Sequence, residues 1–371
     1  MIPSSALPPN TLTSRHSFMR LGMEVEGEKT LEEVYEEGKH LGKGSTAKVK
    51  SCHGIALSRP LKRNNIHFAV EKASAFSLVS KIVSPYLTTP KSITYSTTAD
   101  DYFAADNLAG KDTLFAWSQK EENSGAFWPI LDMAKGIKAL HQAGIFHRDI
   151  KPENVTIVEE GKDPHAEICD FGFATLKNQK YSALRPFMLA ALEKTNLAAD
   201  YLVKREFELH LMVLWNLKQT IGTPKYMSPS IVGPKGEAYK ASDDIYSFAL
   251  TALYLVHGDK DSLEVALSPK KCESKAGYVA MRHENVKKFL EKGDLSRWDE
   301  KTLSIEFRKV LSDMIKNVDK KEPEQDMGVF LARLEKLGPE NFLAPMKKPC
   351  FGGWLPQNGF FAFKFLGLSE K

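Results

Sequence analysis

The chain changes character once, near residue 110, and that change constrains its fold more than any other feature. Between Tyr35 and Leu108, short stretches rich in β-branched and aromatic residues (KHLGKG, AKVKSCHGIAL, NIHFAVEKA, KSITYS, DYFAADNL) alternate with turn residues, the pattern of a small antiparallel sheet. After AGKD at 109–112, apolar residues recur at helical intervals in FWPILDMAKGIKALHQAG, which stops at Gly144. Helical patterns follow in SDDIYSFALTALYLVHG, where Ser242 and Asp243 are candidate caps, in IEFRKVLSDMIKNV and in DMGVFLARLEKLG. Strands first and helices afterwards make an α+β chain with two lobes. Within the first lobe, SAFSLVSKIVSPYL has helical spacing but meets Pro85, so a short helix is expected over about 74–84.

Composition narrows the class. With 371 residues, 42% hydrophobic and 26% charged, the chain can bury a real core, and disorder, collagen and membrane bundles are excluded. Its 51 basic and 47 acidic residues are interleaved, so the net charge of +4 implies no nucleic-acid partner. Cys52, Cys169, Cys272 and Cys350 form no paired motif, which implies reduced thiols in a cytoplasmic protein. No run approaches the length of a membrane span, and the N-terminal stretch lacks the apolar core of a leader. The expected division is a flexible arm at 1–30, a strand-rich lobe at 31–108, a helical lobe at 109–344 and an aromatic tail at 345–371.

The chemistry is concentrated in IFHRDIKPENVTIV and, after it, ICDFGFA. With LGKGSTAKV upstream and a lysine strand between, these motifs resemble the eukaryotic-type protein kinase family, over roughly residues 35–340. The resemblance implies a two-lobed kinase-like fold, ATP and Mg²⁺ as cofactors, and transfer of a phosphoryl group to Ser or Thr hydroxyls of a protein substrate. Carried over residue by residue, it makes Asp149 the acceptor of the hydroxyl proton and Lys151 the cation beside the moving group. Asn154 and Asp170 become the metal ligands. Gly42 and Gly44 would let backbone approach phosphates, with Ala47 where a third glycine usually stands, and Val49 would cover the adenine. In DYFAADNLAGKD, Ala105 becomes the gatekeeper, open to bulky N6-substituted nucleotides. The backbone from Asp106 to Leu108 becomes the adenine contact and Asp112 a ribose partner; a plain β-to-helix connection is the other reading of this segment. GTPKYMSPS resembles the segment that holds the peptide, with Thr223 bridging to Asp149, and Asp244 would tie the catalytic loop from inside or cap its helix.

The lysine strand allows two registers, since one family habit points at Glu71 and the other at Lys72. Strand alternation selects Lys72, which shares a face with Ile66, Phe68 and Val70.

Three departures mark a divergent member. Ser230 replaces a glutamate that usually pairs with an arginine, and the region expected to hold that arginine, NVDKKEPEQ, offers only lysines. No acid lies between Glu71 and Asp100, so the expected helix has no partner for the lysine, which would lean on Asp170. The segment from Asp170 to Ser230 is about twice the family length. Its insertion at about 176–219 carries an amphipathic pattern through Val203, Phe207, Leu211, Leu214 and Trp215, which either packs on the helical lobe or docks an activator, a substrate or a second copy. Insertions on an intact catalytic loop resemble effector kinases of intracellular bacteria, which implies translocation into a host cell. A nucleotide-binding pseudokinase acting as scaffold or allosteric activator is the alternative. Arg148 and the acceptors Thr175, Ser182 and Thr220 are candidates for control by phosphorylation.

Overall fold

A computed structural model of the chain describes residues 29–43, 47–63, 65–96, 99–108, 110, 112–119, 126–159, 163–177, 220–232, 238–257, 260–292, 304–339 and 342. The expected helix in the insertion, Gly44 of the glycine-rich loop and the aromatic tail lie outside these residues.

Thr30 opens helix α1 (Leu31–Glu37) with a capping box: its hydroxyl accepts from the Glu33 N–H at 3.2 Å, and the Glu33 carboxylate accepts from the Thr30 N–H at 2.7 Å. A five-stranded antiparallel sheet follows, ordered β1-β2-β3-β5-β4. Its strands are β1 (Lys39–Lys43), β2 (Ala47–Cys52), β3 (Ile55–Pro60), β4 (Pro90–Ser96) and β5 (Asp101–Asn107). The stretch AKVKSCHGIAL becomes two strands because His53 and Gly54 both adopt positive φ (45° and 76°), the requirement of a tight hairpin turn. α1 covers the outer face of this sheet: Leu31, Val34 and Tyr35 pack with Ile55, Leu57, Phe103 and Ala105.

Between β3 and β4 the structure departs from expectation. NIHFAVEKA is not a strand; residues Ile66–Val79 form helix α2, which replaces the short helix expected over 74–84. Asn65 starts it, its side-chain oxygen accepting from the N–H groups of His67 and Phe68. Phe68, Ala69, Ala73, Leu78 and Val79 are buried, so apolar residues surround most of the helix and the pattern has no face that strand alternation alone would reject.

The second lobe begins with β6 (Asp112–Thr113) and α3 (Leu114–Ser118), then α4 (Phe127–Gln142) and β7 (Ile145–Phe146). β8 (Val155–Val158) and β9 (His165–Ile168) pair antiparallel beside β6, and β10 (Thr175–Leu176) pairs with β7. Helices α5 (Ala241–Val256), α6 (Lys260–Leu267), α7 (Lys275–Lys292), α8 (Ile305–Asn317) and α9 (Met327–Leu337) complete it. α5 is buried almost all round, as a helix at the centre of a helical lobe must be, and α8 packs against it. Among the described residues no helix is long and apolar enough to cross a membrane.

Candidate active site

The loop from β7 to β8 carries His147, Arg148, Asp149, Lys151 and Asn154, closed by a short 3₁₀ turn over Pro152–Asn154. Both Asp149 oxygens are engaged. One accepts from Lys151 Nζ at 2.6 Å and Asn154 Nδ2 at 3.0 Å; the other accepts from the Thr223 N–H at 2.9 Å and its hydroxyl at 2.8 Å. Lys151 Nζ also donates to Thr223 Oγ1 at 3.0 Å. The expected bridge from Thr223 to Asp149 is therefore present, and it fixes the carboxylate where the segment of residues 222–230 passes the loop.

Asp244 holds this loop from α5. It is fully buried, with one oxygen accepting from the Arg148 N–H at 3.0 Å and the Tyr239 hydroxyl at 2.8 Å. The other accepts from the His147 N–H at 2.9 Å and lies 3.0 Å from His141 Nε2. Burial alone would raise the Asp244 carboxyl, but the His141 hydrogen bond, the nearby imidazoles and the Arg148 N–H outweigh it and hold the group below its ordinary value. The capping role falls to Asp243, which accepts from the Lys240 N–H at 2.7 Å. Arg148 needs this anchorage, since its backbone adopts a φ of 72°. His147 ties the loop to the next motif: Nδ1 accepts from the Asp149 N–H, leaving Nε2–H to donate to the Cys169 carbonyl at 3.1 Å.

Asp170 follows Cys169, with a φ of 64° and its side chain exposed to the cleft. Phe171 packs against the His147 ring, and Gly172 lies against Glu71 of α2 so closely that an added Cβ would stand 2.6 Å from Glu71 Oε1. Burial, opposed by Lys72 and aided by Asp170, pushes the Glu71 carboxyl up.

The cleft-facing side of the sheet corrects two expectations. Lys72 stands on helix α2, not on a strand, yet its ammonium reaches the cleft, 3.9 Å from Asp106 Oδ2. On β3 the buried side chain turned away from the outer face is Ser58, whose hydroxyl donates to the Ala104 carbonyl at 3.1 Å. Ala105 is not a gatekeeper: it points to the outer face with Leu57 and Phe103, because β5 alternates, and Asp106 takes the cleft-facing place. Asp106 therefore meets the cleft with its carboxylate, while its backbone stays in the ladder between Ala56 and Pro90. Leu108 lies past the end of β5 and is exposed; Asp112 sits on β6 opposite Ile157. Gly42 pairs with Val49 across β1 and β2, with open space where a side chain would be, and Val49 pairs with Ser58.

The segment over residues 222–230 is pinned by contacts that its sequence concealed. Gly222, at a φ of 110°, lets the chain turn against the catalytic loop, where a Cβ would lie 2.5 Å from the Arg148 carbonyl. Ser230 donates to Asp243 at 2.5 Å, and Ser247 donates to the Tyr226 carbonyl at 2.8 Å. Arg282 of α7 donates to the Lys225 carbonyl at 2.9 Å and pairs with Glu264 of α6 at 3.1 Å. Beside Asp149 the segment leaves a small hollow lined by Thr223, Tyr226, Met227, Ser228 and Ile231.

Comparison with known proteins agrees with this arrangement: the model of the protein kinase domain matches residues 35–325. The chain belongs to the protein kinase domain family. It is 29% identical over 161 residues to serine/threonine-protein kinase ppk35 of Schizosaccharomyces pombe, covering 39% of this chain and 24% of that protein. It is 24% identical over 255 residues to the probable serine/threonine-protein kinase ndrC of Dictyostelium discoideum, covering 64% and 18%. With serine/threonine-protein kinase DBF20 of Saccharomyces cerevisiae it shares 28% identity over 158 residues, covering 39% and 27%. The chain thus spans about a quarter or less of the length of these curated relatives.

In this kinase domain the donor set suits a hard cation that arrives with phosphates. Asn154 spends its amide nitrogen on Asp149, so its oxygen is turned elsewhere, and Asp170 offers an exposed carboxylate, the oxygen ligands that Mg²⁺ takes alongside phosphate and water. Arg282 and Glu71 were missed by sequence reasoning. Arg282 carries no local motif, but Glu71 was within reach once Asn65 is read as a helix cap. Of the candidate phosphate acceptors, Thr175 is fully buried on β10 and Ser182 lies outside the described residues.

Proposed function

We propose that this chain transfers the γ-phosphoryl group of ATP to Ser or Thr hydroxyls of protein substrates with Mg²⁺. The observation that carries the reading is the cluster in which Lys151, Asn154 and Thr223 all converge on Asp149. In this reading Asp149 accepts the substrate hydroxyl proton and Lys151 sits beside the transferred group. Thr223, at the mouth of the same cluster, favours hydroxyls on short side chains. Asn154 and Asp170 hold the metal, which when bound neutralises phosphate charge. Gly42 and Gly44 approach the phosphates, Val49 covers the base, Leu108 contacts it through backbone, Asp112 meets the ribose and Lys72 supplies the cation for the phosphates. The insertion at 176–219 either packs on the helical lobe or docks an activator, a substrate or a second copy. Action in the cytoplasm, as a translocated effector, is consistent with the reading.

One observation favours a scaffold that binds nucleotide without transfer: Ser58 occupies the strand position next to the cleft where a cation is expected. A single assay separates the two. Incubated with labelled ATP, Mg²⁺ and a generic basic protein, the parent yields phosphoserine or phosphothreonine. Asp149→Asn lowers the rate by about 10²–10⁴-fold, and Asp170→Ala abolishes it. Transfer by both variants at the parental rate would sink the kinase reading.

A further inference from the structure

In the pattern that the sequence resembles, a lysine on a strand is held by an acid on the neighbouring helix. Here the strand has Ser58 at that place, and its hydroxyl is committed to the Ala104 carbonyl. The next residue, Arg59, does not substitute. It faces the outer side of the sheet, where Asp101 at 2.8 Å and Glu32 at 3.0 Å hold it.

The charge enters the cleft from the helix instead. Lys72 of α2 and Asp106 of β5 face each other at 3.9 Å, each with 22% of its side chain exposed, and among the described residues Asp106 is the carboxylate within ion-pair distance of Nζ. Two other acids are near enough to act on Lys72, but both have other work. Glu71, its neighbour in sequence, points from a different side of the helix and packs on Gly172. Asp170 is the carboxylate assigned above to the metal, which it would hold when one is bound. Burial disfavours the Lys72 charge, yet Asp106, Asp170 and Glu71 together raise its pKa, so the ammonium stays protonated in the cleft.

We propose that Lys72 and Asp106 are the lysine–acid pair of this kinase with its ends exchanged: the cation rides on the helix, and the carboxylate that positions it is fixed in the strand. Asp106 is a positioning residue, acting through Lys72. The inference rests on the assignment of Lys72 to the phosphates made above. It has a mechanical consequence. Any displacement of α2 carries the cation itself out of the cleft, whereas an acid on the helix would leave the cation behind on its strand.

The experiment measures ATP affinity and turnover separately, using a fluorescent N-methylanthraniloyl-ATP analogue for binding and labelled ATP with a basic protein for turnover. Lys72→Ala weakens nucleotide binding about tenfold or more, and Asp106→Asn produces a loss of the same order. Because both remove one pair, the double variant is no worse than Lys72→Ala alone. The exchanged pair, Lys72→Asp with Asp106→Lys, recovers most of the binding that either half of the exchange loses. Moving the lysine back to the strand, Ser58→Lys in a Lys72→Ala background, restores turnover at least in part. Asp106→Glu, which keeps the charge, retains binding and serves if Asp106→Asn does not fold.

Losses from Lys72→Ala and Asp106→Asn that multiply in the double variant would overturn the proposal, as would parental affinity in Asp106→Asn. The binding readout stands apart from transfer. If the parent binds nucleotide and the two losses coincide, but no variant or parent phosphorylates protein, the kinase reading fails and the pair survives.

Discussion

Replacing Asp244 by Ala removes the acceptor of two catalytic-loop N–H groups and of the Tyr239 hydroxyl, all inside the helical lobe. A buried donor left without a partner costs about 1–3 kcal/mol. The two backbone donors alone therefore cost about 2–6 kcal/mol, a large share of the roughly 5–15 kcal/mol by which a domain is stable. Asp244→Asn is not a gentle substitute, because an amide nitrogen placed at either oxygen position faces a main-chain donor, His147 N–H on one side or Arg148 N–H on the other. Turnover falls as well: Arg148 leaves its unusual backbone conformation, and a shift of about 1 Å in Asp149 is worth about 10²-fold. Urea unfolding followed by circular dichroism reads the first effect, and turnover at saturating ATP reads the second. The pH dependence has a definite sign. Because the folded carboxyl lies below its ordinary value, its contribution is complete above about pH 4 and is lost as pH falls through the folded value. The parent thus has an acid limb of instability below about pH 4 that Asp244→Asn lacks. Asp244→Ala with parental stability and parental turnover would refute the reasoning.

Two further substitutions test contacts around this centre. Gly172→Ala drives a methyl to 2.6 Å from Glu71 Oε1, so the variant has lower activity and melting temperature, and adding Glu71→Ala restores part of the melting temperature. Arg282→Met removes the donor to the Lys225 carbonyl and leaves Glu264 with Lys225 and Ser268; the KM for protein substrate rises about tenfold while the KM for ATP is unchanged, as measured by initial rates.

What could be read from the residues follows from how local each signal is. The catalytic loop, Asp170, Thr223 and Asp244 were legible because HRDIKPEN, DFG, GTPKYMSP and SDD are short and keep their own geometry. The strand-then-helix order was legible from periodicity. α2 was not, since Phe68, Ala69, Val70 and Ala73 satisfy both a strand and a helix buried on most sides; only the Asn65 cap separates them. α1 has a local signal of its own, the Thr30 and Glu33 capping box. The expected gatekeeper is off by one residue, and a shift of one in a strand exchanges the faces, which turns Ala105 outward and Asp106 inward. Arg282 was beyond reach, as it meets Lys225 from 57 positions away and only the fold brings the two together.

On the nucleotide-binding reading proposed above, the carboxylate of Asp106 also decides which small molecules suit this protein. Inhibitors that push an apolar ring behind the adenine position would strip water from the Lys72–Asp106 pair and offer neither group a hydrogen bond in return, so they bind poorly. Nucleotides enlarged at N6 meet the same wall, and the small Ala105 offers them no extra room because it faces the other way. A scaffold carrying a basic amine at that point would take over the contact Lys72 makes at 3.9 Å and free the helix lysine. Selective chemical probes for this protein are therefore cationic at the back edge, a property that compounds fitted to apolar rear pockets lack.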